Sequence, residues 1–239
     1  MPELGINAVH VWHSTLELPL AQLRSLETLL SCGEQRRAAR FALAPHRAAF
    51  VAARGILRQL LAGYLGVDPR RVRLCYERRG KPVLDPSLGS DVTFNVSHSH
   101  GVALFAVGRG RRLGIDVEHI RANRDLAKIA QRFFSPNEAA GLDALPAALQ
   151  RRAFYACWTR KEAFLKATGT GISHPLDSFE VSVDPDEPAT LVHIDGDRQR
   201  ALEWRLHDLH FDRDYAAALA VEGHDWRLSC HAFPETTPR

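Results

Sequence analysis

Val92-Thr93-Phe94-Asn95-Val96-Ser97, Val102-Ala103-Leu104-Phe105-Ala106-Val107 and Leu113-Gly114-Ile115-Asp116-Val117-Glu118 are three short apolar-rich runs parted only by turn residues. Runs of this length, rich in Val and Phe and bounded by Gly, Ser and Arg, read as successive strands with tight connections. Ahead of them the chain predicts a helix from Pro45, because Phe50, Val51, Leu57, Leu61, Tyr64 and Leu65 recur at helical spacing and Gly66 supplies a stop. Val72, Leu74 and Tyr76 then alternate as in a strand. The same order returns further on. Ser135-Pro136-Asn137-Glu138 has the form of a capping box, a longer helix is predicted over 147–167, and Gly169 and Gly171 close it. Strands are predicted around 179–183, 191–194, 202–206, 215–221 and 226–233. A helix followed by mostly hairpin-connected strands, twice over, indicates an α+β fold rather than a doubly wound parallel sheet. The Gly- and Arg-rich stretch at 109–112 marks the seam, dividing the chain into halves at 1–112 and 113–239 that pack as one body.

The 239 residues are 45% hydrophobic and 25% charged, the balance of an ordinary globular protein. Disordered, collagen-like and disulfide-scaffold classes are thereby excluded. No apolar run reaches the roughly 18–20 residues of a membrane helix, and no basic region leads into an apolar stretch at the N-terminus. The expectation is a cytoplasmic protein without a membrane partner. Cys32, Cys75, Cys157 and Cys230 lie far apart with no CxxC, and are expected as reduced, small core residues. The net charge of +3, carried mostly by Arg, suits a phosphate-bearing or acidic partner. Nucleic acid is not expected, because no helix-turn-helix, RNP-like or zinc-finger pattern is present and the aromatics are not interleaved with basic runs.

Three constellations carry chemistry. In Gly114-Ile115-Asp116-Val117-Glu118 alternation sends Ile115 and Val117 to one side and Asp116 and Glu118 to the other, roughly 6–7 Å apart. Two carboxylates on one face are tolerable if solvated, or if a hard cation such as Mg²⁺ sits between them. In Trp158-Thr159-Arg160-Lys161-Glu162-Ala163-Phe164-Leu165-Lys166, Glu162 and Lys166 share a helix face, either as a surface pair or, with Trp158 behind them, as partly buried groups that a metal and a phosphate would satisfy. Asn95-Val96-Ser97-His98-Ser99-His100 brings hydroxyl, imidazole and loop N–H groups together at a strand end. That suits an anion, and equally an ordinary polar turn. A Ser/His hydrolase is disfavoured, since Ser97 and His98 point to opposite faces and no G-x-S-x-G elbow exists. Arg47 and Arg54 stand two turns apart on one helix face. No P-loop or G-x-G-x-x-G occurs.

Taken in order, Gly80-Lys81-Pro82, Phe94 to Ser99, Gly114 to Glu118, Phe133 to Glu138, Trp158 to Lys166 with Gly169-Thr170-Gly171-Ile172, and Pro175 to Phe179 resemble the surfactin-type (Sfp) 4'-phosphopantetheinyl transferases across roughly 34–183. The resemblance implies a monomer of two similar α+β halves packed as a pseudo-dimer, each a long helix against a mostly antiparallel sheet, with coenzyme A in the cleft between them. It implies transfer of the phosphopantetheine arm from coenzyme A to a serine of an apo carrier protein, acyl or peptidyl, releasing adenosine 3',5'-bisphosphate. Residue by residue, it implies Asp116, Glu118 and Glu162 as ligands of Mg²⁺ or Mn²⁺, Lys166 on the transferred phosphate, and Ser97 with His98 on the phosphates of coenzyme A. Lys81 and Pro82 become adenine contacts, partly through backbone, and Arg47 or Arg54 serves the nucleotide. Some relatives carry lysines near the 3'-phosphate, where this chain offers Arg36, Arg37 and Arg40.

The chemistry agrees with that assignment. Phosphoryl transfer needs charge neutralised on the pyrophosphate, an aligned nucleophile and an acceptor for the serine proton. Glu162 is the candidate base, with Lys166 and His98 completing the catalytic set. The rival readings are a metal-dependent phosphoester or phosphoanhydride hydrolase using the same carboxylates, and a coenzyme A binding module without turnover.

Overall fold

The structure is a computed structural model that describes residues 1–121, 125–171 and 174–234, so Ile172 lies outside the described residues. In chain order come β1 (Ala8–Thr15), α1 (Leu20–Glu27), α2 (Cys32–Ala38), α3 (Ala44–Leu65), β2 (Leu74–Tyr76), β3 (Pro82–Leu84), β4 (Val92–Ser99), β5 (Val102–Arg109) and β6 (Leu113–His119). There follow α4 (Leu126–Phe133), α5 (Pro136–Ala144), α6 (Ala147–Thr168), β7 (Phe179–Val181), β8 (Leu191–Ile194), α7 (Arg198–Ala201), β9 (Trp204–Asp208), β10 (Tyr215–Glu222) and β11 (Arg227–Ala232). One sheet has the order β11-β1-β5-β4 and a second the order β6-β10-β9, with two small hairpins, β2-β3 and β7-β8. This is the expected α+β class. Among the described residues no helix is long and apolar enough to cross a membrane.

Alternation along the strands sorts the chain into four layers. From the first sheet, Trp12, Phe105 and Val107 turn toward α3 and meet Ile56, Leu57 and Leu60. Val9, Val11, Leu104 and Ala106 turn the other way and pack on Ile115, Val117, Leu219 and Val221 of the second sheet. The far face of that sheet, Ala218 and Ala220, joins Ala163 and Phe164 of α6 in a third core. Each long helix thus covers the outside of one sheet, and the sheets share the middle.

Local signals set the element ends. Gly66 closes α3 in the left-handed region at φ 65°. Ser135 and Glu138 form both bonds of the capping box at the start of α5. The β4–β5 connection is the two-residue turn His100-Gly101 with φ 44° and 78°, the doubly positive geometry whose twist matches a hairpin.

Three features depart from the sequence reading. β1 was not foreseen, because His10 and Trp12 stand where alternation asks for plain apolar residues. Both are buried, and both place a ring nitrogen on the Tyr64 hydroxyl, at 2.8 and 2.7 Å. Second, the last strand expected to complete the second half runs instead parallel to β1, in register from Ala8↔Arg227 to His13↔Ala232. Third, the cysteines are not all core residues: Cys157 is buried, Cys75 half-buried, and Cys32 and Cys230 exposed. Cys32 opens α2 next to its cap, and Cys230 lies on an edge strand.

Gly114 decides how closely β6 approaches α6. A methyl group there would fall inside contact distance of the Ala163 carbonyl oxygen and the Ala167 nitrogen, both backbone atoms that cannot step aside. Gly114→Ala is therefore expected to cost about 3 kcal/mol or more of stability, at the upper end of overpacking changes, read as a fall in the urea midpoint with little change in slope.

Candidate active site

The close approach at Gly114 puts the outward face of β6 against the last two turns of α6. Asp116, two residues on, is 4% exposed, and the Lys166 ammonium stands on its Oδ1 at 2.6 Å. Lys166 Nζ also donates to the Ser97 hydroxyl at 2.9 Å. One helical turn back, Glu162 is half-buried. Burial, followed by the like charge of Asp116, raises its pKa above the ordinary carboxylate value, and Lys166 opposes the rise while Glu118 adds to it. The two motifs expected to carry the carboxylates and the lysine therefore meet, although 50 residues separate Asp116 from Lys166.

A second set of contacts joins β4 to β6. β6 is the edge of its sheet, and its outward N–H groups find side chains rather than a backbone ladder. Ile115 N donates to Asn95 Oδ1 at 2.9 Å, Val117 N to Ser97 Oγ at 3.3 Å and His119 N to Ser99 Oγ at 3.2 Å. The two serines in turn donate to carboxylates, Ser97 to Asp116 Oδ1 at 2.8 Å and Ser99 to Glu118 Oε2 at 3.0 Å. His98 points to the opposite side of β4. Partial desolvation, then the Lys166 charge, hold its ring below the ordinary imidazole range, with Arg54 contributing in the same direction.

Lys81 and Pro82 open the second strand of the small β2-β3 hairpin. The Lys81 ammonium donates to the Lys166 carbonyl at 2.6 Å and to the Leu113 and Ala167 carbonyls at 3.3 Å. A cation on the C-terminal carbonyls of α6 complements the helix dipole, and burial lowers its pKa. The side chain thus ties the hairpin to the close β6–α6 contact. Arg54 and Arg47 part company. Arg47 forms an exposed pair with Glu27 at 2.8 Å and is not brought to the group. Arg54 has a side chain only 12% exposed, 3.8 Å from Glu34, with its guanidinium over Phe50 and Tyr76. Beside Glu34 and Tyr76, its neighbours, opens a cleft of about 900 Å³ lined by Arg36, Arg37, Arg40, Arg58, Arg70 and Arg73. Of these, the sequence reading had noted Arg36, Arg37 and Arg40 without giving them a contact.

The donor set admits a hard cation. Among the described residues Asp116 Oδ2 is buried with no hydrogen-bond partner, and Glu162 is close enough for the Asp116 and Glu118 charges to perturb it. Among those same residues no three carboxylate, imidazole or thiol groups close on a single point. An incomplete set of carboxylates is what Mg²⁺ accepts, since it completes its shell with substrate oxygens and water.

Sequence reasoning missed what holds α6 in place. Lys161 is wholly buried, and its ammonium lies 2.6 and 2.7 Å from the two oxygens of Glu138 and 2.7 Å from the Phe179 carbonyl. Glu138 also accepts the Ser135 and Val181 N–H groups, both at 2.8 Å. The capping box was a legible signal for Glu138. Nothing in the spacing distinguishes Lys161 from the exposed lysine its charge suggests. Arg160, also wholly buried, pairs with Asp208.

The chain matches a family model described as the 4'-phosphopantetheinyl transferase superfamily over residues 112–220, and one described as 4'-phosphopantetheinyl transferase, N-terminal, over residues 14–108. It is 45% identical over 222 residues to the 4'-phosphopantetheinyl transferase HetI of Nostoc sp., covering 92% of this chain and 90% of that one. A putative 4'-phosphopantetheinyl transferase of Synechocystis sp. is 33% identical, with 82% and 77% covered, and 4'-phosphopantetheinyl transferase Sfp of Bacillus subtilis is 35% identical over 131 residues, with 55% and 56% covered. Among solved structures, a Thermotoga maritima holo-[acyl-carrier-protein] synthase aligns at 25% identity and TM-score 0.37, over 47% of this chain and 62% of that one. The chain belongs to the 4'-phosphopantetheinyl transferase superfamily.

The Glu138–Lys161 pair fixes the rotation of the helix that carries Glu162 and Lys166. Glu138→Ala leaves a buried ammonium uncompensated, and a loss of about 3–5 kcal/mol is expected. Thermal melting checks it, with a drop under about 1 kcal/mol excluding this role.

Proposed function

We propose that this chain transfers the 4'-phosphopantetheine arm of coenzyme A to the serine of an apo carrier protein, releasing adenosine 3',5'-bisphosphate. The single observation that carries the reading is the meeting of Asp116, Glu162 and Lys166, drawn from two distant motifs, beside Ser97 and His98. Membership of the superfamily supports the reaction class, and the order of motifs supports kinship with the surfactin-type branch.

In this reading the nucleotide lies along a succession of positive groups. Arg37 and Arg54 both stand over the Phe50 ring, and Lys166 and Arg54 both lie near enough to His98 to add to the burial that holds its ring below the ordinary imidazole range. Arg54 serves the nucleotide in preference to Arg47, and the cleft lined by Arg36, Arg37 and Arg40 takes the 3'-phosphate, since guanidinium groups suit forked phosphate contacts. The backbone of Lys81 and Pro82 borders the adenine. The division at 112/113 leaves this path between two packed halves, with β11 lent to the first sheet.

Lys166 neutralises charge on the phosphoryl group under attack. The carrier serine oxygen forms the new bond to the phosphorus that bears the pantetheine, and the anhydride bond to the departing bisphosphate breaks. The serine proton passes to the Glu162 carboxylate. A divalent cation held by Asp116, Glu118 and Glu162 would supply Lewis-acid polarisation of the pyrophosphate oxygens.

Intact-protein mass spectrometry of an apo carrier incubated with the chain, coenzyme A and Mg²⁺ tests the proposal. The expected result is a gain of one phosphopantetheine unit, lost with EDTA, with Asp116→Ala and with Glu162→Gln. Coenzyme A consumed to free phosphopantetheine with no mass on the carrier would make the chain a hydrolase. Binding without consumption would leave a coenzyme A binding module. Titration calorimetry separates the two arginines: Arg54→Ala is expected to weaken coenzyme A binding about tenfold, the effect of about 1.4 kcal/mol, and Arg47→Ala less than twofold.

A further inference from the structure

Ser99 takes no part in the reaction above, yet its bonds repeat those of Ser97. The three side chains Asn95, Ser97 and Ser99 point from β4 to β6 at every second residue. Each accepts an N–H of β6, from Ile115, Val117 and His119 in turn. At the Asn95 rung the preceding residue on β6 is Gly114, which has no side chain, and an amide oxygen suffices. At the other two rungs the preceding residues are Asp116 and Glu118. There the chain carries hydroxyls, the small groups that accept from an N–H and donate to a carboxylate through one atom. Ser97 donates to Asp116 Oδ1 at 2.8 Å and Ser99 to Glu118 Oε2 at 3.0 Å. Residue type at each rung thus follows the presence of a carboxylate on the partner strand.

We propose that Ser99 is a positioning residue for Glu118. Its hydroxyl, fixed by the His119 N–H, holds Glu118 Oε2 and so helps to orient that carboxylate toward the divalent cation. The inference rests on the metal assignment to Asp116, Glu118 and Glu162. It adds that the strand carrying the nucleotide contacts also sets the geometry of the metal ligands. Outer contacts of this kind change metal affinity by about 10–100-fold when removed.

The experiment uses the full chain with coenzyme A, and Mn²⁺ as the probe, binding being read from the loss of the free-ion electron paramagnetic resonance signal. Ser99→Ala is expected to raise the Mn²⁺ Kd at least about tenfold. Its Tm should fall by no more than about 8 °C, the shift that loss of the two hydrogen bonds of its hydroxyl produces in a chain of this size, and its coenzyme A affinity in EDTA should stay within twofold. Ser99→Thr, which keeps the hydroxyl, should restore the Mn²⁺ Kd to within threefold. Were Ser99→Ala to unfold, near-isosteric Ser99→Cys, a weak donor, carries the same test. Mn²⁺ binding by Ser99→Ala equal to the parent chain, while Asp116→Ala weakens it, overturns the role of Ser99 alone. Equal binding by the parent chain and Asp116→Ala, or no binding by the parent, overturns the metal assignment and this inference together.

Discussion

The contact on which the site depends is backbone against backbone, where β6 crosses the last turns of α6 at Gly114. Without a side chain at that position the strand lies within reach of the Ala163 carbonyl and the Ala167 amide. This closeness lets a short carboxylate, Asp116, meet the Lys166 ammonium and brings Glu162 under the influence of both strand carboxylates. A methyl-thick spacer would part them, because interiors pack at nearly crystalline density and one added carbon displaces what lies behind it. Lys81 strengthens the same junction by bonding carbonyls from both elements, those of Leu113, Lys166 and Ala167.

Two polar systems then orient what the contact brings together. On one side the Asn95, Ser97 and Ser99 rungs replace a main-chain ladder, so that the edge of the second sheet is satisfied by the first. On the other side the buried Lys161–Glu138 pair anchors α6 to α5 and β7. Buried ion pairs contribute little net stability against an apolar alternative and are costly to break. Here the pair fixes which face of α6 turns to β6. Three of the groups that meet, Asp116, Ser97 and Lys166, are therefore held from three different elements.

The electrostatics follow from this assembly. Burial first, and then Asp116 and Glu118, push the Glu162 carboxyl up, and Lys166, bonded to Asp116, opposes them. Burial and neighbouring charge shift Glu162 up and His98 down, and perturbations of this kind gather where a site must handle charge.

Much of the fold was legible because its signals are local. Proline at a helix start, Gly66 at a helix end, the Ser135–Glu138 box and alternation in residues 113–118 each act through neighbours a few positions away, and the α+β class follows from their order. The motif residues were legible for a different reason: Asp116, Glu118, Glu162 and Lys166 are residue types whose spacing on one strand or one helix face is set by the backbone period alone. The sequence was silent where partners come from afar. β1 escaped notice because the polar atoms of His10 and Trp12 are reconciled with burial by Tyr64, more than fifty residues away. The parallel seat of β11 beside β1, the burial of Arg54 near Glu34 while Arg47 stays exposed, and the burial of Lys161 were likewise undecided. What the sequence by itself determined is the set of elements and the chemistry they carry, since backbone periodicity and capping are short-range. Only the tertiary structure decided which of those groups meet, because an N–H, an ammonium or a carboxylate takes the partner that packing brings within 3 Å, and packing is a property of the whole chain.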